Sequence, residues 1–257
     1  MTIPSAAEFD QASLRKIIDA FRSSGRRAPT SDFDIPPDLA TADFIQRSAA
    51  LSGNIADAWK VAKSPTGVPV ASRLHPFISI PSSGTLLWRP GTLLEIEVAV
   101  RLNQDLPPGP RYDRADIVNA SEAFFLGAEL VRSVALENGK VSFPLFLADR
   151  MGNDGYCLGP AFPSARLNQI QSADLIIQLD IDTLFQGEAK HANGDCLGWL
   201  VEFANLSIRD TQSLQRGAVV TTGSLCGAIA LPSPGQVQVT VAKDIVFSFP
   251  VLSADKP

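Results

Sequence analysis

At 257 residues, 45% hydrophobic and 19% charged, the chain has the composition of a soluble globular protein, long enough for one large domain or a small lobe plus a core domain. A net charge of −5 with no basic block argues against a nucleic-acid partner. No run approaches the roughly eighteen apolar residues that cross a bilayer, so no membrane partner is expected.

The first ten residues lack a basic segment followed by an apolar one, so no secretory signal is expected. Phe9, Leu14, Ile17, Ile18 and Phe21 then recur at helical spacing and predict an amphipathic helix ending near Ser23-Ser24-Gly25. A Pro- and Asp-rich link from Thr30 to Pro37 leads to a second helix through Leu39, Phe44, Ile45 and Leu51. These helices cannot bury enough surface alone, so residues 1–56 are expected to form an N-terminal lobe on a core domain of residues 57–257.

The chain's 19 prolines and 18 glycines suit a turn-rich β fold, and from about Asp57 the pattern changes to short strands. Strands are predicted at 57–62, 78–80, 93–102, 124–133, 155–159, 173–184, 217–223, 236–241 and 244–250. Helices are predicted at 113–122, 142–150 and 195–206, the last with Asp195 as its cap and with Trp199 and Phe203 in the core. The class is therefore α+β, a curled sheet with short helices outside it.

Leu93-Leu94-Glu95-Ile96-Glu97-Val98-Ala99-Val100 alternates with period two, which puts Glu95 and Glu97 on one face of a strand. Neighbouring carboxylates repel unless water, a cation or a shared proton separates them. On a buried face a divalent metal is the simplest explanation; on a solvent face the pair means only solubility. Glu129, within Phe124-Phe125-Leu126-Gly127-Ala128-Glu129-Leu130-Val131, sits among apolar residues, an expensive place for an unpaired charge. Lys60 is similarly set in Ala58-Trp59-Lys60-Val61-Ala62. With only His75 and His191, a His/Cys zinc site is hard to assemble, so any metal would be held by oxygens, as Mg²⁺, Mn²⁺ or Ca²⁺ are. Cys157, Cys196 and Cys226, odd in number and widely spaced, oppose a disulfide framework, fit a reducing cytoplasm and read as structural.

The order of these features resembles the fumarylacetoacetate hydrolase superfamily, in its branch of 2-keto-4-pentenoate hydratases and 4-oxalocrotonate decarboxylases. Trp59-Lys60-Val61 is similar to that branch's Gly-Tyr-Lys-type strand, and Glu95-Ile96-Glu97-Val98-Ala99-Val100 to its "EAEIAFVL" strand. Ala128-Glu129-Leu130-Val131 resembles "ALEIVDSR", and Ala148-Asp149 with Leu158-Gly159 resembles "ADNASSG…VLG". Gln215-Arg216-Gly217 through Gly223-Ser224 resembles "LKAGDIVLTGS". The likeness runs from about residue 15 to about residue 250.

The resemblance implies a mixed β-roll with short outer helices and an N-terminal helical lobe, usually assembled into homo-oligomers and in some members complexed with a related subunit. It implies Mg²⁺ or Mn²⁺ held by Glu95, Glu97 and Glu129, with Lys60 moving protons or holding the substrate carboxylate. Thr222, Gly223 and Ser224 would form a substrate loop. The implied reaction is hydration of a 2-hydroxydienoate or decarboxylation of a related dicarboxylate, in which the metal chelates a small 2-oxo acid and stabilises an enolate. An acylpyruvate-type C–C hydrolase is the second reading, and a non-catalytic partner subunit the third.

The chain departs from the branch at several points. Val70-Ala71-Ser72-Arg73-Leu74-His75 carries no carboxylate where the branch has a "GVLFDDM"-like stretch. Asp149-Arg150-Met151-Gly152-Asn153-Asp154 lacks the serines of "DNASSG", and Gly194-Asp195-Cys196 replaces a "GHP". Ala242-Lys243-Asp244 stands where the branch has a closing "GLG". The changes fit a shifted substrate, with Arg73, His75 or Arg150 meeting a different carboxylate; Asp149 is either a site residue or a partner for backbone donors.

Overall fold

The computed structural model describes residues 9–254 apart from 52, 54, 82, 83 and 211. The signal-peptide reading of the first ten residues therefore lies, except at Phe9 and Asp10, outside the described residues. In chain order come α1 (Gln11–Ser24), α2 (Leu39–Arg47), β1 (Ala58–Lys63), β2 (Pro69–Arg73), β3 (Phe77–Ser79), β4 (Leu86–Trp88) and β5 (Leu93–Leu102). Then follow α3 (Arg114–Asn119), β6 (Ser121–Val131), α4 (Phe143–Ala148), β7 (Asn153–Phe162), α5 (Leu167–Ile170), β8 (Asp174–Leu179) and β9 (Asp182–Glu188). Last are α6 (Gly198–Ala204), β10 (Val219–Ser224), β11 (Ile229–Ala230), β12 (Gly235–Val241) and β13 (Ile245–Ser253). The class is α+β, as expected, with short helices, and among the described residues no helix is long and apolar enough to cross a membrane.

The described residues form two compact units, one of 9–51 with 133–152 and one of the remainder. In the first, Asp10 caps α1 by accepting from the Ser13 amide, and Gly25 ends it at φ 67°, the left-handed conformation that glycine adopts without strain. The buried face of α1 is Leu14 and Ile18. Helix α2 stops at Arg47, short of Leu51, and Phe44 stands 57% exposed, so Ala42 and Ile45 carry the buried face instead.

Segment 133–152 belongs with these helices for identifiable reasons. The fully buried Asp149 accepts from Arg22 Nε at 2.7 Å and from the Val134 amide at 2.9 Å. The Arg27 guanidinium donates to the carbonyls of Ser133, Ala135 and Leu136, and Ala28 bridges to Ala135. The helical lobe is thus discontinuous in sequence, where the motif pattern had suggested one N-terminal stretch.

In the second unit, one mixed sheet runs β2-β1-β10-β5-β6-β7-β3, with β11 also paired to β5; another runs β4-β13-β12-β8-β9. Leu94, Ile96, Val98 and Val100 on β5 join Leu126, Ala128 and Leu130 on β6, and Val237, Val239, Phe247 and Phe249 of the other sheet, in one hydrophobic core. Gly159 lets the sheets approach: a Cβ there would come within 2.8 Å of the Leu126 carbonyl and 3.0 Å of the Phe247 ring. The opposite face of the first sheet carries polar groups beside a second, smaller apolar cluster that includes Ala99, Phe125, Leu158 and Val219.

The strand expected at 173–184 is two strands joined through Asp180 and Ile181. Asp180 adopts φ 52° and Ile181 is 91% exposed, so an apolar residue that continued the strand pattern stands at the turn. β2 and β4, five and three residues long, fall below the length at which alternation is legible. Helix α6 begins at Gly198, not at Asp195; that aspartate accepts from the Leu197 amide and pairs with Arg114 at 3.2 Å, so it does not cap the helix.

Asp149→Ala removes the carboxylate that pairs with Arg22 and accepts from the Val134 amide in the buried interior of this unit. We expect a loss of about 3 kcal/mol in urea unfolding, with faster amide exchange confined to residues 9–51 and 133–152.

Candidate metal centre

Antiparallel pairing of β5 with β6 sets Glu95 opposite Glu129 and Glu97 opposite Gly127. The two-residue period then puts all three carboxylates on the face away from the core. One oxygen from each lies within 4.8 Å of the others, with Glu97 and Glu129 buried and Glu95 partly so. Three like charges so placed repel strongly at low dielectric. β1 and β10 bring the opposing charge: Lys60 is in register with Thr221, and its Nζ meets Glu129 Oε1 at 2.6 Å.

The Asn153 amide also donates to Glu129 Oε1, at 3.0 Å, while its own oxygen accepts from the His75 amide. Glu129 Oε2 is buried without a hydrogen-bond partner among the described residues. The Thr221 hydroxyl donates to Glu97 Oε2, and the Tyr156 hydroxyl lies 3.3 Å from Thr221 Oγ1. Tyr156 fits there because residue 127 is glycine; a Cβ would fall 2.0 Å from its hydroxyl.

Burial, followed by the Glu129 charge, pushes Glu95 up to about 7, and the same two causes with Glu95 added hold Glu97 well above the ordinary carboxylate range. Burial opposes the Lys60 ammonium, but attraction to Glu129, Glu95 and Glu97 outweighs it and holds its pKa above the usual lysine value. Three carboxylates against one ammonium leave two negative charges uncompensated when all are ionised. That is the charge of one divalent cation, the donors are the hard oxygens such ions prefer, and Glu129 Oε2 is an acceptor awaiting a partner. The residues present fit a divalent metal.

The structure thus gathers Lys60, Glu95, Glu97 and Glu129 and distributes the other candidates elsewhere. Arg73 lies on the other face of β2 from Ser72, with its guanidinium over the Trp59 ring at 4.2 Å. His75 reaches the cluster through its backbone amide on Asn153. Asp149 and Arg150 belong to the helical unit, where Asp149 serves Arg22 and Val134. The Thr222 hydroxyl donates to the Val98 carbonyl. Ser224 stands in register with Glu97, with its hydroxyl donating to the Gly227 carbonyl. Gly223 adopts φ 112° beneath Trp199 and His191, where a Cβ would meet both within 2.8 Å.

Sequence reasoning missed Thr221, Asn153, Tyr156 and His191. Thr221 was one residue from the expected loop; Tyr156 was in a recognised strand with the small Gly127 two positions before Glu129 as its only signal. His191 accepts the Asn193 amide at Nδ1, so Nε2 carries the proton and donates to the Thr222 carbonyl at 2.8 Å. Burial lowers its pKa, which keeps that neutral tautomer.

No family model matches the chain. In sequence it is 27% identical over 150 residues to 2-keto-4-pentenoate hydratase 2 of Dechloromonas aromatica (strain RCB), covering 58% of this chain and 56% of that protein. 2-Keto-4-pentenoate hydratase 1 of the same strain matches with the same identity and coverage. The match thus spans little more than half the length of these relatives. In fold the chain is similar to 4-oxalocrotonate decarboxylase from Pseudomonas putida G7, solved with magnesium and adipate, at a TM-score of 0.73 and 16% identity over 94% of this chain and 97% of that one. Fumarylpyruvate hydrolase from Pseudomonas aeruginosa, solved with Mn²⁺ and pyruvate, gives a TM-score of 0.52 at 13% identity over 76% and 89%. The chain thus shares the fold of 4-oxalocrotonate decarboxylase over nearly its whole length and is similar in sequence to 2-keto-4-pentenoate hydratases over little more than half of it.

Proposed function

We propose that the protein is a divalent-metal-dependent lyase acting on a small unsaturated 2-oxo acid, by hydration of a 2-hydroxydienoate or decarboxylation of a related dicarboxylate. The observation that carries this reading is the buried triad Glu95, Glu97 and Glu129 with Lys60 against it. Relatives named for both reactions, and neighbours solved with magnesium and Mn²⁺, support it.

Glu95, Glu97 and Glu129 would hold the cation, Mg²⁺ or Mn²⁺. When bound, it would supply Lewis-acid stabilisation for negative charge building on the 2-oxo oxygen. Lys60 is protonated at neutral pH, so its part begins as a donor: it holds the substrate carboxylate or delivers a proton to the carbon skeleton. Asn153 and Lys60 share one oxygen of Glu129 and fix its orientation. Leu158, Phe125, Ala99 and Val219 pack with Tyr156 beside the carboxylates and keep water from that side.

His191 has both ring nitrogens engaged with backbone groups. C–C hydrolysis of an acylpyruvate wants an imidazole to activate water, so this engagement favours the lyase reading over the hydrolase one. A turnover screen of 2-hydroxydienoates, unsaturated 2-oxo dicarboxylates and acylpyruvates separates the three reactions.

Calorimetry with Mn²⁺ should show binding to the wild type that tightens with oxalate, a mimic of a 2-oxo acid, and is lost in Glu97→Ala. Absence of binding to the wild type would sink the lyase reading.

The raised carboxylates also set a pH dependence. The folded state holds a proton on Glu95 that the unfolded chain has released, so this stability is full below about 4.5 and is lost as pH rises through about 7. Glu97 acts in the same direction. The metal-free protein should therefore melt at lower temperature at about pH 8 than at about pH 5 in calorimetric scans. Mn²⁺ should raise the melting temperature more at the higher pH, contributing about 2.7 kcal/mol at a hundredfold excess over its dissociation constant.

A further inference from the structure

We propose that Tyr156, acting through Thr221, is a positioning residue that holds Glu97 in its metal-ligating orientation. The inference rests on the reading of the carboxylate cluster as a divalent-metal centre.

Tyr156 is fully buried on the carboxylate face, opposite Glu129 in the β6–β7 pairing. Its ring stacks on Phe77 with centroids 5.8 Å apart and planes 4° apart, which fixes where the hydroxyl points. The hydroxyl lies over Gly127, the register partner of Glu97. Thr221, in register with Lys60 on β1 and Ala99 on β5, occupies the same face from the other side of Glu97.

The direction of the hydrogen bonds follows from what each group can do. Once Glu97 is ionised to hold a cation its carboxylate only accepts, so the Thr221 hydroxyl, which also lies 3.3 Å from the Val98 carbonyl, gives its proton to Glu97 Oε2. Thr221 then has only lone pairs to offer Tyr156, so the phenol donates to it across 3.3 Å. Each bond polarises the next, and the carboxylate at the end is both turned and favoured as the anion. The ring alone would be served by phenylalanine: its neighbours Ala58, Leu74, Ala99, Phe125, Leu158 and Val219 are apolar apart from their backbone. Among the described residues the hydroxyl has one hydrogen bond, and that bond leads to Glu97.

The test is the Mn²⁺ dissociation constant, by calorimetry, of the wild type, Tyr156→Phe, Thr221→Val, Thr221→Ser and the double variant Tyr156→Phe/Thr221→Val, each first checked for native near-UV circular dichroism. Tyr156→Phe should weaken binding about tenfold and Thr221→Val by about 10- to 100-fold. Thr221→Ser should restore near-wild-type affinity. The double variant should bind no more weakly than Thr221→Val alone, because Tyr156 acts only through that hydroxyl. Unchanged affinity in Tyr156→Phe, or losses that multiply in the double variant, would overturn the relay and leave the metal centre standing. Failure of the wild type to bind overturns both. If Thr221→Val does not fold, Tyr156→Phe and Thr221→Ser alone carry the decision.

Discussion

The cross-strand pairing of Glu95 with Glu129 is the constraint on which the rest of the second unit depends. Like charges set directly opposite each other in a ladder destabilise it, and here a third carboxylate lies one pleat away. Every polar group brought to that face is a response. Lys60 and Asn153 converge on one oxygen of Glu129, Thr221 ties Glu97, and Tyr156 stands over Gly127 where a larger residue would exclude it. The charge that remains is what makes the cluster a receptor for a dication instead of a packing error.

The order of the sheet explains why these groups meet. Lys60, Glu95 and Glu129 are spread over nearly seventy residues of sequence, yet β1, β10, β5 and β6 are neighbours in the sheet. The opposite faces of β5 and β6 fill the hydrophobic core, so each strand is pinned in register by its apolar residues. Packing on one side thus fixes chemistry on the other. A slip of one residue would bury the glutamates among leucines and present Ile96 and Val98 to the cluster.

Much of this was legible because period-two alternation survives in β5 and β6. The pattern alone placed Glu95 and Glu97 on one face, and the apolar setting of Glu129 marked it as a charge in need of a partner. The neighbours were not legible where alternation breaks. The resemblance implied Thr222, whose hydroxyl bonds to Val98; pairing between β10 and β5 shifts register between Thr221 and Ser224, and it is Thr221 that reaches Glu97. Asn153 lies beside another shift, between Leu130 and Val131. Arg73 and Asp149 carried the right chemistry, but the Trp59 ring and the Arg22 guanidinium claim them. Those pairings depend on tertiary proximity, which local pattern does not encode.

The split helical unit has a consequence for how the chain is made. The ion pair between Arg22 and Asp149 joins residues 127 positions apart, and Arg27 finds its carbonyls more than a hundred positions downstream. At a typical elongation rate, roughly ten seconds separate the emergence of α1 from that of its partners. Throughout that interval the apolar stripe of Leu14 and Ile18 is presented on a nascent chain without the segment that completes its unit. The helices of this unit therefore reach their final packing only after residues 133–152 have been made.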